Sequence, residues 1–118
     1  MSTETLLELY RTGSKHSQYQ ALPARIRSLL PPGSVSYKSR HERERLEFLC
    51  GKVDFDGRKV ADIGGNTGYF AFEILDRGAA SVDYFEGNLE HHQFVSHAAR
   101  LLGLDGRLAR ELFARLGQ

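Results

Sequence analysis

Residues 60–69, VADIGGNTGY, bring together residue types that do chemistry on a bound ligand. A carboxylate, Asp62, sits at the end of an apolar run and is followed by Gly64, Gly65, Asn66, Thr67 and Gly68. Small residues at such a point let the backbone turn sharply and come close to a ligand. A helix starting just after them offers free N–H groups. Glu86 ends the next apolar run, SVDYFEGN, 22 residues beyond Gly64. A carboxylate there can accept hydrogen bonds from two vicinal hydroxyls at once, which a neutral side chain does less well. Asp83 lies nearer the middle of that run and needs a partner if it is buried.

Two phosphate-binding patterns fail on spacing. A dinucleotide fingerprint anchored at Gly64 requires glycines at 66 and 69, where the chain has Asn66 and Tyr69. The phosphate loop requires a terminal Gly-Lys-Ser/Thr, and no such triplet is present.

VADIGGNTGYF resembles the first motif of class I S-adenosylmethionine-dependent methyltransferases: an acid, one apolar residue, then a glycine-rich loop. In that family the loop wraps the methionine part and ribose of the cofactor. Asn66 stands where the family has glycine, and asparagine is the least strained substitute at a position of positive φ. Glu86 matches the family's second motif, the acid that holds the ribose hydroxyls, and Gly87 takes the place of a residue that packs on the adenine. The resemblance therefore implies S-adenosylmethionine as cofactor, held by Asp62, Gly64, Gly65, Asn66, Thr67, Gly68, Tyr69, Glu86, Gly87 and Asn88. It also implies a basic or aromatic residue ahead of the first strand that reaches the cofactor's carboxylate. Tyr37, Lys38 and Arg40 are the candidates. The aromatic-rich helix start resembles that of methyltransferases acting on small molecules or glycans.

The elements that must position these residues follow from local signals. Residues 2–13, 20–33 and 39–53 read as helices, the first capped by Ser2 or Thr3 and the second closed by Pro31, Pro32 and Gly33. In the third, Leu46, Leu49 and Cys50 are expected to face the core. KVADI, residues 59–63, reads as a short strand of the fully buried kind. A helix from Thr67 to Gly78, a strand from Ala80 to Gly87 and a helix capped by Asn88 and ended by Gly103 follow. Leu108, Leu112 and Leu116 then recur at helical spacing. Strands alternating with helices predict an α/β doubly wound, Rossmann-like sheet. Residues 1–33 form an amino-terminal helical appendage, and residues 34–118 a partial cofactor-binding domain.

With two strands evident, the sheet looks incomplete against the family's seven. No catalytic base is assigned. The chain reads as the cofactor-binding portion of a methyltransferase or, alternatively, as a non-catalytic module whose unpaired strand edges invite a homodimer.

Other residues have plainer readings. His91, His92 and His97 lack the i, i+4 spacing of two metal ligands on one helical face and read as solvated or capping residues. Residues 16–20, HSQYQ, read as a surface loop. Residues 38–45, KSRHERER, read as a solvated helix face. Phe72 reads as core, and Tyr69 as core or pocket lining.

Composition narrows the rest. The chain has 118 residues, a formal charge of +1 and one cysteine. That charge sets up no field to gather nucleic acid or an acidic membrane. One cysteine forms no disulfide framework, and the start of the chain lacks the pattern of a secretory leader, so a cytoplasmic protein is expected.

Overall fold

The computed structural model describes residues 2–12, 20–38 and 41–112. Its elements run α1 (Thr3–Thr12), α2 (Ala24–Leu29), α3 (Glu42–Cys50), β1 (Lys59–Ile63), α4 (Tyr69–Asp76), β2 (Ser81–Glu86), α5 (Leu89–Leu101) and β3 (Leu108–Leu112). The three strands form one parallel sheet in the order β1-β2-β3.

β3 corrects the sequence reading, which expected a helix from Leu104 onward. A spacing of four between Leu108 and Leu112 fits a helix, but it is also two strand periods, so the pattern alone does not decide. Pairing does: Val82 lies beside Leu108, Tyr84 beside Arg110 and Glu86 beside Leu112. A turn at Asp105 and Gly106 separates this strand from α5, and the Arg110 guanidinium reaches back to Asp105 Oδ1 at 2.7 Å. Leu116 lies outside the described residues.

The sheet has two unlike faces. Val60, Asp62, Val82, Tyr84, Glu86 and Leu108 share the side on which α4 and α5 pack, and all but Val60 and Asp62 are buried. Lys59, Ala61, Ile63, Asp83, Ala109 and Glu111 share the other side and are exposed. β1 is therefore not the fully buried strand expected from its apolar composition. Among the described residues, helices cover one face only, so its exposure alternates along KVADI. Asp83 faces solvent and needs no partner.

The amino-terminal helices share the core with the sheet unit. Thr5 N–H donates to Ser2 Oγ at 3.1 Å, which caps α1. Leu6 and Tyr10 then pack towards α5, with the Tyr10 and Phe94 rings 5.7 Å apart. Leu22, Ile26 and Leu30 join the same apolar cluster as Phe72, Val82 and Tyr84. In α3 the inward stripe is Glu42 and Leu46, one turn apart. Leu49 is 68% exposed, contrary to the expectation that it faces the core, whereas Cys50 is half-buried and packs against the core as expected. Cys50 continues the stripe of Glu42 and Leu46 one turn on, while Phe48 and Leu49 lie off it and are exposed. Among the described residues, no helix is long and apolar enough to cross a membrane.

Candidate functional site

The glycine loop lies at the carboxyl end of β1, and three consecutive residues of β2 hold it. Gly64 and Gly65 N–H both donate to the Phe85 carbonyl, at 2.8 and 3.2 Å. Asn66 N–H donates to Glu86 Oε1 at 2.9 Å. The Tyr84 hydroxyl donates to the Asn66 carbonyl. Residue 66 is thus fixed on both sides of its Cα while its backbone takes φ = 53°. That is the left-handed region, where asparagine is among the least strained non-glycine residues.

Close packing explains two of the glycines. A Cβ at Gly65 would lie 2.5 Å from the Tyr84 ring and 2.7 Å from Asp62 Oδ2. At Gly68, where φ is 89°, it would meet Phe72 at 2.8 Å and Val95 at 3.1 Å. Gly68 is the residue from which α4 departs. The start of that helix is already occupied: Gln20 Oε1 accepts from Tyr69 N–H at 3.3 Å and from the Thr67 hydroxyl at 3.0 Å.

Two carboxylates share the site. Burial and the charge of Glu86 push Asp62 up to about 6, with the Ala71 N–H pulling weakly the other way. Its Oδ2 is buried without a hydrogen-bond partner. Burial also pushes Glu86 up, but His91 beside it and the N–H groups of Asn88 and Asn66 outweigh burial and hold it below the usual carboxylate range. Glu86 Oε2 accepts from Asn88 N–H at 2.8 Å and lies 3.7 Å from His91 Nδ1. Asn88 caps α5, its side chain accepting from His91 N–H at 3.1 Å.

The site residues from Asp62 to Asn88 that the sequence named fall on β1, β2 and the turns that follow them, except Tyr69, which opens α4. Gly64, Gly65, Asn66, Glu86 and Asn88 come together through the bonds above, and the β1–β2 register sets Asp62 beside Tyr84. Thr67 and Tyr69 are buried and turned to Gln20 and the core, and Gly87 is half-buried. Tyr37 packs against the core and Lys38 is exposed. Neither is among the hydrogen-bond partners of the glycine loop, and Arg40 lies outside the described residues.

Three contributors escaped sequence reasoning. Tyr84 carried a signal, since it is two residues from Glu86 and so shares its face of β2. His91 was expected to be solvated or capping, yet it is 5% exposed. Its place three residues past a capping asparagine, and so beside the end of β2, was the available clue. Gln20 carried none, because its partners lie 47 and 49 residues away. Residues 16–19 of the loop expected there lie outside the described residues. His97 is also buried, its Nε2 2.9 Å from the Ser2 carbonyl oxygen.

No family model matches the sequence, and no curated protein matches it. Solved structures do. Geranyl diphosphate C-methyltransferase from Streptomyces coelicolor A3(2), crystallised with Mg2+, geranyl-S-thiolodiphosphate and S-adenosyl-L-homocysteine, superposes with a TM-score of 0.60 at 16% identity. The match covers 95% of this chain and 48% of that one. Phosphoethanolamine N-methyltransferase 1 from Haemonchus contortus, in complex with phosphoethanolamine and S-adenosylhomocysteine, gives 0.54 at 16% identity, over 96% of this chain and 22% of that one. The chain thus spans half or less of these neighbours' length. The fold is that of the class I S-adenosylmethionine-dependent methyltransferases.

Proposed function

We propose that this chain binds S-adenosylmethionine at the carboxyl ends of β1 and β2 and is the cofactor-binding portion of a methyltransferase. Residues 34–118 carry the binding unit, and residues 1–33 a helical appendage packed on it. The observation that carries the reading is a pair of unmatched acceptors beside the glycine loop. Asp62 Oδ2 and Asn66 Oδ1 are buried without hydrogen-bond partners, and such atoms are costly to leave unmatched. The ammonium group of the cofactor's methionine part supplies donors that these acceptors lack, and vicinal ribose hydroxyls can donate to the lone pairs that Glu86 keeps beyond its two backbone bonds. A phosphate does not fit. It would meet two carboxylates, and the Tyr69 N–H at the start of α4 is already bonded to Gln20.

Asp62 and Asn66 would hold the cofactor's methionine part, Glu86 its ribose, and Gly64 and Gly65 let the backbone approach it. When bound, S-adenosylmethionine supplies an electrophilic methyl group, and the protein's part is placement and charge. For the acceptor, the resemblance of the aromatic-rich start of α4 is the support for a small molecule or a glycan; Tyr69 and Phe72 themselves lie in the core.

Calorimetric titration with S-adenosylhomocysteine tests this. The folded chain is expected to bind saturably, and Glu86→Ala to weaken binding by about tenfold or more, the loss of a hydrogen-bonded charged group. A folded chain that gives no saturable heat overturns the reading.

A second reading rests on the exposed side of β1. Its outer edge has no partner strand among the described residues, and Ile63 beside it is 76% exposed. On that reading the chain is a non-catalytic module that pairs with a second copy of itself.

A further inference from the structure

His91 is buried beside the acid at the end of β2, and it is not there as an apolar filler. Its ring has two polar nitrogens, both buried and neither hydrogen-bonded. Its Nδ1 lies 3.7 Å from Glu86 Oε2, an ion-pair distance for a protonated ring. That same oxygen accepts from Asn88 N–H, while Oε1 accepts from Asn66 N–H. One carboxylate therefore ties the left-handed residue of the glycine loop to the cap of α5, and the imidazole stands against its second oxygen. The backbone of His91 is fixed in turn, its N–H donated to Asn88 Oδ1.

Glu86 needs such a neighbour. It shares a desolvated site with Asp62, and each carboxylate raises the electrostatic cost of the other. Unsupported, Glu86 gains by swinging towards water, which breaks its bonds to Asn66 and Asn88 together. We infer that His91 is a positioning residue of this site: its imidazole holds the Glu86 carboxylate in the orientation that joins Asn66 to Asn88. The effect on cofactor affinity rests on the binding reading above; the effect on the loop does not.

The test compares His91→Leu with His91→Asn in the full chain labelled with 15N. The two replacements are similar in size, and Asn alone keeps a donor near the place of Nδ1. In His91→Leu the amide protons of Asn66 and Asn88 are expected to shift upfield and to exchange about tenfold faster, while those of Val82 and Tyr84 within β2 keep their wild-type rates. S-adenosylhomocysteine affinity falls by about tenfold, the low end for removing one member of a close charge pair. His91→Asn restores both. In a Glu86→Gln background, where the carboxylate is gone, His91→Leu adds nothing to either readout, which keeps the test open should His91→Leu alone fold poorly.

Wild-type exchange at both amides in folded His91→Leu overturns the inference, as does an Asn variant no better than Leu. Faster exchange at Asn66 and Asn88 in His91→Leu, together with a wild-type chain that binds no S-adenosylhomocysteine, upholds the positioning role and overturns the cofactor reading instead.

Discussion

At Asp62 stability and binding make opposite demands. The folded chain holds this carboxyl at about 6 because it is desolvated beside Glu86, whereas in the unfolded chain it titrates at about 3.9. Between those values the folded state binds more protons, so stability from this group is full below about pH 4 and falls as pH rises through about 6. Allowing for the partial exposure of Asp62, the loss is about 2 kcal/mol. Glu86, held low, acts with the opposite sign, so the group is isolated by a difference between variants. Asp62→Asn is expected to be more stable than wild type at pH 7.5, with the gap closing at pH 4.5, in urea unfolding at the two values. A gap independent of pH would mean that Asp62 does not titrate in this window. The same substitution is expected to weaken S-adenosylhomocysteine binding by about tenfold, because an amide no longer matches an ammonium group. A residue kept at the expense of stability, and needed for binding, is the pattern expected of a functional site.

At the scale of elements, the link between Gln20 and α4 decides how firmly the loop is set. One side-chain oxygen satisfies both the buried Thr67 hydroxyl and the Tyr69 N–H. Gln20→Ala leaves both donors unmatched and is expected to destabilise the fold by about 1–2 kcal/mol, the range for a lost helix cap. Denaturant melts measure it, and a loss within experimental error would show that water replaces the amide without penalty. This contact also marks the limit of what the sequence made legible. β1, β2, the glycine loop and the Asn88 cap announce themselves through neighbours in sequence: glycines at 64, 65 and 68, a capping residue before an apolar run, an acid at each strand end. What depends on distant pairing did not show. Gln20 finds its partners across the chain, and LAREL becomes β3 because Leu108 and Leu112 line up with Val82 and Glu86. Leu49 belongs to a helical apolar pattern, yet it is exposed, because the inward stripe of α3 is settled by the packing of Glu42 and Leu46, with Cys50 one turn on. Tyr84 and His91 lie between, since strand parity and a helix cap place them near Glu86 but do not say what they bond.

At the scale of the molecule, the sheet is covered on one side. Helices α4 and α5 bury Val82, Tyr84 and Leu108, while Ala61, Ile63, Ala109 and Glu111 face solvent. A parallel sheet is normally buried on both faces, because its connections place helices over each. An edge strand with free N–H and C=O groups beside an exposed isoleucine is a template for another strand. If a second copy supplies it, the symmetric arrangement is antiparallel about Ala61, which sets Lys59 of one copy against Ile63 of the other. The lysine stem then covers the isoleucine while its charge stays in water. Sedimentation over a range of concentrations is expected to show a monomer–dimer equilibrium for the wild-type chain. Ile63→Lys brings two lysines together at each end of that pairing, where like charges oppose association, and is expected to shift the chain to monomer without changing S-adenosylhomocysteine affinity, since Ile63 lies on the face away from Asp62 and Glu86. A wild-type chain that stays monomeric at every concentration leaves the edge of β1 unused by a second copy, and the non-catalytic reading loses its support.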